Sequence, residues 1–308
     1  FQQTPRLKNT ELTQNNYHST LSNQKSCNMK ILVTGASGLV GSRFVELYPN
    51  PNDLLTPGLD EFDLANPGEY LSKNDPDVVL NFAAYTNVSE AEKQKGDKSG
   101  SCWQINVEGT RNLVAALPAG TRLIHISTDM VFSSSAADPG PCAPDHKLQT
   151  NNYELTWYGY TKAEAERIVG DRGTVVRLIY PVRAKYPAKL DNLRKPLDLY
   201  NQCKLYPLFT DQHTSMTFID EACLALQKII NEKLTGVFHM SSPDTFTPYE
   251  IITYLLQQLG KDTSGIGKSS VDPNRYPQFG GLVPSPEFNF SPWRQIIDKL
   301  IEQGIATS

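Results

Sequence analysis

In the stretch LTWYGYTKAEAERIV, residues 155–169, Tyr158 and Lys162 stand four residues apart. The run is rich in helix formers, among them Ala163, Glu164, Ala165 and Arg167. On a helix, residues i and i+4 share a face about one turn apart, so a phenol and an ammonium are held side by side. A cation beside a phenol favours the phenolate, and such a pair can move a proton near neutral pH. The same spacing suits a tyrosine stem packed under a lysine that reaches for solvent, on an ordinary surface helix. The rest of the chain has to separate the two readings.

A second cluster could hold an anion. TGASGLVG places Gly35, Gly38 and Gly41 in a GxxGxxG pattern, after the apolar run MKILVTG and before LVGSRFVELYP, which has helical character. The first glycine permits a tight turn, the middle one lets a pyrophosphate approach the backbone, and the third packs helix against strand. The helix start near Leu39 offers free N–H groups and a positive dipole end. This predicts a dinucleotide site; a purely structural strand–helix turn is the alternative. An acid about 20 residues after the first glycine would mark NAD. Residues 54–56 are Leu, Leu and Thr instead, with Asp53 early and Asp60 late. Arg43 could meet a 2′-phosphate or be a solvated surface arginine. The cofactor is therefore NADPH or NADH, with NADPH favoured.

These groups need a scaffold. Val78 to Phe82, TRLIHIST (121–128), GTVVRLIY (173–180) and GVFHMSS (236–242) read as buried strands, and INVEGTRNLVAAL (105–117) as a helix. Strands alternating with helices predict an α/β fold, a Rossmann-type doubly wound parallel sheet. Beyond residue 180 the pattern loosens. PVRAKYPAKLDNLRKP is basic and irregular, while DEACLALQKIINEK, TPYEIITYLLQQLG and SPWRQIIDKLIEQG read as helices. The predicted division is a disordered extension over 1–28, an NAD(P)-binding domain over 29–180 plus 218–242, and a smaller C-terminal substrate-binding lobe over 181–217 plus 243–308. The extension is polar and lacks apolar periodicity, and Met29 directly precedes the first strand. His125 and His239 fall in apolar strand runs and read as satisfied core histidines. Arg183, Lys185 and Lys189 could face a diphosphate or solvent.

The 308 residues carry 29 Lys plus Arg against 33 Asp plus Glu, a net charge of -4. Without a basic block, nucleic acid and anionic membrane are excluded as expected partners. No apolar run reaches the roughly 18 residues of a membrane span. The 5 cysteines are scattered, without CxxC pairs or zinc spacing, so no metal site is expected. A reducing, cytoplasmic setting fits this usage.

TGASGLVG, NFAAYTNVSEAE, INVEGT, HISTDMVF and YGYTKAEAE follow one another in the order seen in extended short-chain dehydrogenases/reductases. More narrowly, the chain resembles the dTDP-4-dehydrorhamnose reductase group of sugar-nucleotide-binding reductases, over roughly residues 29–290. PDVVLNFAAYTNVSEAE, HISTDMVF and DQHTSMTFID carry most of that likeness. It departs at Met130, where the group usually has tyrosine, and at Met216, where proline is common. The long stretch between Phe132 and Tyr158 is also unlike the group.

The resemblance implies an NAD(P)H-dependent reductase of a nucleotide-linked 4-keto-6-deoxy sugar. Thr128, Tyr158 and Lys162 match the catalytic set. Thr128 would hold the carbonyl oxygen, and Tyr158 would give it a proton as hydride arrives from the nicotinamide. Lys162 would lower the phenol's pKa and meet the nicotinamide ribose. Gly35, Ser37, Gly38, Leu39 and Val40 would line the pyrophosphate, Asp63 and Leu64 the adenine, and Ala83, Ala84 and Tyr85 the nicotinamide-side ribose. Asn106 matches a helix asparagine at the cofactor site. Asp129 and Arg275 would contact the substrate, and Asp211, Gln212 and His213 fall in a substrate-lobe motif. A homodimer is left open. The scaffold also serves epimerases or dehydratases that keep NAD bound, and a branch of non-catalytic cofactor-binding regulatory subunits.

Overall fold

The computed structural model describes residues 29–149, 151, 153–272 and 276–305. The extension expected over 1–28, and Arg275, lie outside the described residues. The fold starts at β1 (Ile31–Thr34), a fully buried strand, followed by the glycine turn and α1 (Gly41–Leu47). The chain continues through β2 (Leu54–Leu55), α2 (Gly68–Asn74) and β3 (Val78–Asn81). The crossover to β4 (Arg122–Thr128) holds α3 (Val88–Glu92), α4 (Ser101–Trp103), one π turn over Gln104–Glu108, and α5 (Gly109–Ala116). α6 (Trp157–Val169) leads into β5 (Gly173–Leu178).

Later elements are shorter or more distant in sequence. They are β6 (Pro181–Val182), α7 (Arg194–Asn201), β7 (Leu208–Phe209), β8 (Thr217–Phe218), α8 (Ile219–Glu232) and β9 (Val237–Met240). α9 (Pro248–Gln258), β10 (Lys268–Ser269) and α10 (Trp293–Glu302) complete the chain.

Six strands form one parallel sheet in the order β2–β1–β3–β4–β5–β9. Continuous apolar runs without polar alternation fit strands covered on both faces. α1 and α8 supply Phe44, Ile219, Leu226 and Ile229 to one face, and α2, α5 and α6 supply Leu71, Leu113 and Val169 to the other. This is the doubly wound, Rossmann-type fold. The chain leaves β1 toward β2 and returns to β3 on the opposite side, so a crevice opens at the carboxyl ends of β1 and β3. The glycine turn sits at that point.

A second apolar core gathers α7, α9 and α10 around Leu197, Phe246, Leu255, Trp293 and Ile297. The stretch after residue 180, read as irregular, holds β6 and α7. Met216 is fully buried within this second core, so its departure from the family pattern is a packing difference rather than a change in the cleft. INVEGTRNLVAAL is helical as expected, but its first turn is a π turn that runs on into α5.

Candidate active site

The glycine turn is shaped by backbone. Gly35 has φ +65, and a Cβ there would lie 2.9 Å from the Ala83 amide nitrogen. Gly38 donates its amide to the Gly35 carbonyl at 2.9 Å, and neither glycine puts a side chain on the open rim. Ser37 is exposed, and Leu39, Val40, Ala83, Ala84 and Tyr85 are each only partly covered. A bare rim at the start of a helix, at the sheet's crossover point, fits a dinucleotide pyrophosphate. Asp63 caps its own turn by accepting from the Ala65 amide at 2.8 Å, and Asn112 donates to the carbonyls of Leu64 and Ala65.

Arg43 does not wait for a 2′-phosphate. Its guanidinium is bound by Asp220 through two contacts of 2.7 Å and by Glu46 at 3.0 Å. Arg183 likewise faces neither diphosphate nor solvent: it is buried and grips Glu46, Ser42 and the Leu39 carbonyl. Lys185 and Lys189 are exposed.

The catalytic candidates come from two elements. Thr128 ends β4, donates to the Asp129 carboxylate at 3.0 Å and accepts from the Met130 amide at 3.3 Å. Tyr158 lies in the first turn of α6, whose start is fixed by Thr156, which accepts from the Gly159 amide at 3.1 Å. Gly159 lets the helix dock on the segment after β4: a Cβ there would overlap the Met130 carbonyl oxygen. Trp157 clusters with Trp103 at 5.7 Å and Tyr160 at 5.6 Å, and its amide donates to Glu92. α6 is therefore no surface helix. Lys162, Ala163, Ala165, Glu166 and Val169 are all buried.

Asn106 is 2 % exposed and commits its amide to protein. It accepts from the Tyr85 amide at 2.8 Å and donates to the Tyr85 carbonyl and to Thr161. The π turn aims it at both partners, so it joins the 83–85 segment to α6 rather than presenting a free group to a ligand.

The electrostatics correct one expectation. Tyr158 and Lys162 share a face, but the lysine Nζ reaches away, to the Ile126 carbonyl at 2.7 Å and His125 Nε2 at 3.1 Å. Burial pushes the Tyr158 phenol up, helped by the neighbouring Asp129 and Cys102, while Thr128 partly offsets the rise. Burial thus opposes the pull toward phenolate expected from the ammonium. Burial lowers Lys162 to about 8, with Glu166 opposing. Asp129 is pushed up to about 6 by desolvation.

Sequence reasoning missed the layer beneath. Glu166, one further turn along the Tyr158–Lys162 face, accepts from Ser127 at 2.5 Å and pairs with Arg177 at 2.7 Å in full burial. Arg177 also donates to the Pro144 carbonyl and contacts His239 Nε2 at 3.0 Å. The signal available was the i+4 continuation from Lys162 to Glu166. His239 is buried as expected but only half satisfied, since its Nδ1 has no hydrogen-bond partner among the described residues, and burial with the Arg177 charge lowers it to about 3. Among the described residues no cluster of His, Cys, Asp or Glu could hold a metal ion.

The family model described as RmlD substrate binding domain matches residues 29–286. The chain is 26% identical over 246 residues to dTDP-4-keto-6-deoxy-D-glucose reductase of Streptomyces niveus, covering 75% of this chain and 79% of that protein. It is 29% identical over 252 residues to dTDP-4-dehydrorhamnose reductase of Streptomyces griseus, covering 76% and 78%. The solved structure of dTDP-4-dehydrorhamnose reductase from Bacillus anthracis in complex with NADP aligns with TM-score 0.76 and 21% identity, over 89% of this chain and 99% of that one. An ortholog from Clostridium acetobutylicum aligns with TM-score 0.77 and 22% identity, over 89% and 99%.

Proposed function

Because the chain belongs to the RmlD substrate binding domain family, we propose that it is an NAD(P)H-dependent reductase of a dTDP-linked 4-keto-6-deoxy sugar. The observation that carries this reading is the convergence of Thr128, Asp129 and Tyr158 at the carboxyl end of β4, in a sheet whose first strand ends in a tight glycine turn. The reductases among its relatives support it. With Arg43 engaged elsewhere, no residue argument favours one dinucleotide, and NADP in the Bacillus anthracis structure supports NADPH.

When bound, the dinucleotide supplies the hydride. The chain's part is to bind, to orient and to move one proton. Thr128 holds the carbonyl oxygen at the strand end. Tyr158, kept as a phenol by burial and by Asp129, gives its Oη proton to that oxygen as negative charge develops there. Lys162 supplies a buried cation on the same helical face and would meet the nicotinamide ribose. Gly35, Ser37, Gly38, Leu39 and Val40 would hold the pyrophosphate, and Ala83, Ala84 and Tyr85 would border the nicotinamide-side ribose.

Asp129 contacts the sugar. The sheet with its helices, over 29–180 plus 218–242, is the cofactor-binding part, and 181–217 plus 243–308 the substrate lobe. No helix of the described residues is long and apolar enough to cross a membrane. We place the enzyme in the cytoplasm, and a homodimer is the proposed assembly.

Single-turnover oxidation of NADPH, with a panel of nucleotide 4-keto sugars, tests the reading. Loss of the reduced-nicotinamide absorbance with a dTDP-linked 4-keto sugar is expected. No loss with any member of the panel overturns it.

A further inference from the structure

The catalytic candidates do not account for a row of buried polar side chains running beneath them. Lys162 Nζ lies 3.1 Å from His125 Nε2, and His125 Nδ1 lies 3.1 Å from the Asn81 amide nitrogen. Thr34 Oγ1 donates to Asn81 Oδ1 at 2.5 Å and accepts from the Ala83 amide at 3.2 Å. Thr34, Asn81 and His125 are each 1% exposed and Lys162 2%. The row crosses α6, β4, β3 and β1, and ends on the residue before Gly35 and on the amide against which Gly35 packs.

Buried polar groups that simply fill a core gain little over apolar ones and cost much when left unpaired. A row of four with both ends at ligand-facing segments has a further consequence. A second cation 3.1 Å from an ammonium is disfavoured, so the imidazole is neutral, consistent with its pKa lying well below the usual histidine value through burial and the Lys162 charge. A neutral imidazole has one N–H, and the row can be satisfied in two ways. With Lys162 as ammonium, Nε2 accepts from it and Nδ1–H faces the Asn81 amide oxygen after a half-turn of that amide. With Lys162 as free amine, Nε2–H faces Nζ and the Asn81 amide nitrogen donates to Nδ1. Between the two, only the Asn81 amide oxygen and nitrogen exchange places.

We propose that His125 is a positioning residue for Lys162: it fixes the lysine nitrogen beneath the Thr128–Tyr158 site and, through Asn81 and Thr34, locks it to the glycine turn. The role rests on the reductase reading of Tyr158 and Lys162. It differs from that of a core histidine, because its energetic effect is read at the lysine. The other titratable groups facing Lys162 are Cys102 from α4 and Tyr158 and Glu166 from α6. None of these reaches Nζ in place of the imidazole.

The test compares His125→Asn, whose amide meets Asn81 but is too short for Lys162, with His125→Gln, which is long enough to meet Lys162. NADPH binding is measured by fluorescence without substrate, and the pH profile of turnover separately. His125→Asn is expected to weaken NADPH binding by about 10- to 100-fold, the usual effect of losing a buried hydrogen bond to a charged group. The ammonium loses an acceptor, so the alkaline limb of the pH profile should move to lower pH. His125→Gln should rescue both readings to within roughly threefold of wild type.

Unchanged NADPH affinity and an unmoved alkaline limb in His125→Asn would overturn the proposal, as would equal losses in the two variants. If His125→Asn does not fold, Asn81→Leu leaves the imidazole present but unoriented and should shift the same two readings. Wild-type protein that binds NADPH but reduces no 4-keto sugar nucleotide would overturn the reductase reading alone, because the binding comparison needs no turnover.

Discussion

Tyr158 and Lys162 are neighbours along α6, yet the phenol meets Thr128 and Asp129 while the ammonium meets His125 and Ile126. Replacing Tyr158 by Phe deletes one oxygen and keeps the packing. Hydride transfer in single turnover should fall by roughly 10²–10⁴-fold, the range for losing a general acid, with NADPH affinity near wild type. Near wild-type turnover would make the phenol a packing group and bring the regulatory-subunit reading forward. Lys162→Met should weaken both turnover and binding, and the double variant should cost less than the sum in free energy. Asp129 gives a prediction in pH. Its carboxyl rises from 3.8 in the free group to about 6 when folded. Stability tied to its neutral form is complete below pH 4 and is lost as pH rises through 6. Asp129→Asn should therefore match wild type in denaturant unfolding at pH 4 and exceed it by about 1–3 kcal/mol at pH 8, discounted for the partial exposure of the side chain. Equal stability at both pH values would show that the carboxylate is well solvated.

At the scale of elements, the site depends on how α6 docks. Thr156 caps it, Trp157 packs with Trp103 and Tyr160 in one aromatic cluster, and Gly159 lies against the Met130 carbonyl. Gly159→Ala forces a methyl group into that contact. The helix start must shift, at a cost of about 1–3 kcal/mol in unfolding free energy, and Tyr158 shifts with it. Turnover should fall more than NADPH affinity, since the glycine turn belongs to another element. Wild-type turnover in this variant would show that the contact relaxes without moving Tyr158. The helical run was legible in YGYTKAEAE, whereas its Thr156 cap was not read from the sequence. The burial of both its faces was not, because Trp103 and Glu92, which cover it, lie more than fifty residues earlier. The π turn holding Asn106 was also invisible: INVEGT reads as ordinary helix, and only its two partners, Tyr85 and Thr161, select the wider turn.

The whole molecule couples stability to the cofactor. A ligand bound only by the native state adds about 2.7 kcal/mol at a hundred times its dissociation constant, so NADPH should raise the melting temperature in a concentration-dependent way. Gly38→Val separates fold from cradle. A Cβ at Gly38 meets only the Gly35 carbonyl oxygen, at 3.2 Å. The variant should melt near wild type without ligand and lose the NADPH-dependent rise, because its branched side chain fills the pyrophosphate's space. A full rise in the variant would remove the phosphate-cradle argument. Arg183 binds the segment after β6 to α1, with Glu46 and Ser42 as partners, so the second core is fastened to the helix that starts at the glycine turn.

Local patterns determined much of this protein. Apolar runs of strand length alternating with helical segments set a doubly wound sheet, and GVFHMSS was legible as a strand of that sheet despite its distance from the others. The glycine spacing marked the turn, and four-residue spacing put Tyr158 and Lys162 on one face. Period and spacing act within a few residues, so they survive in the sequence. Where charges point does not, because that is decided by whichever group stands opposite. Arg43 met Asp220, 177 residues away, instead of a phosphate, and Lys162 met His125 instead of Tyr158. Burial, which holds the Tyr158 phenol protonated and lowers Lys162, likewise exists only once strands and helices from distant parts of the chain have closed around them.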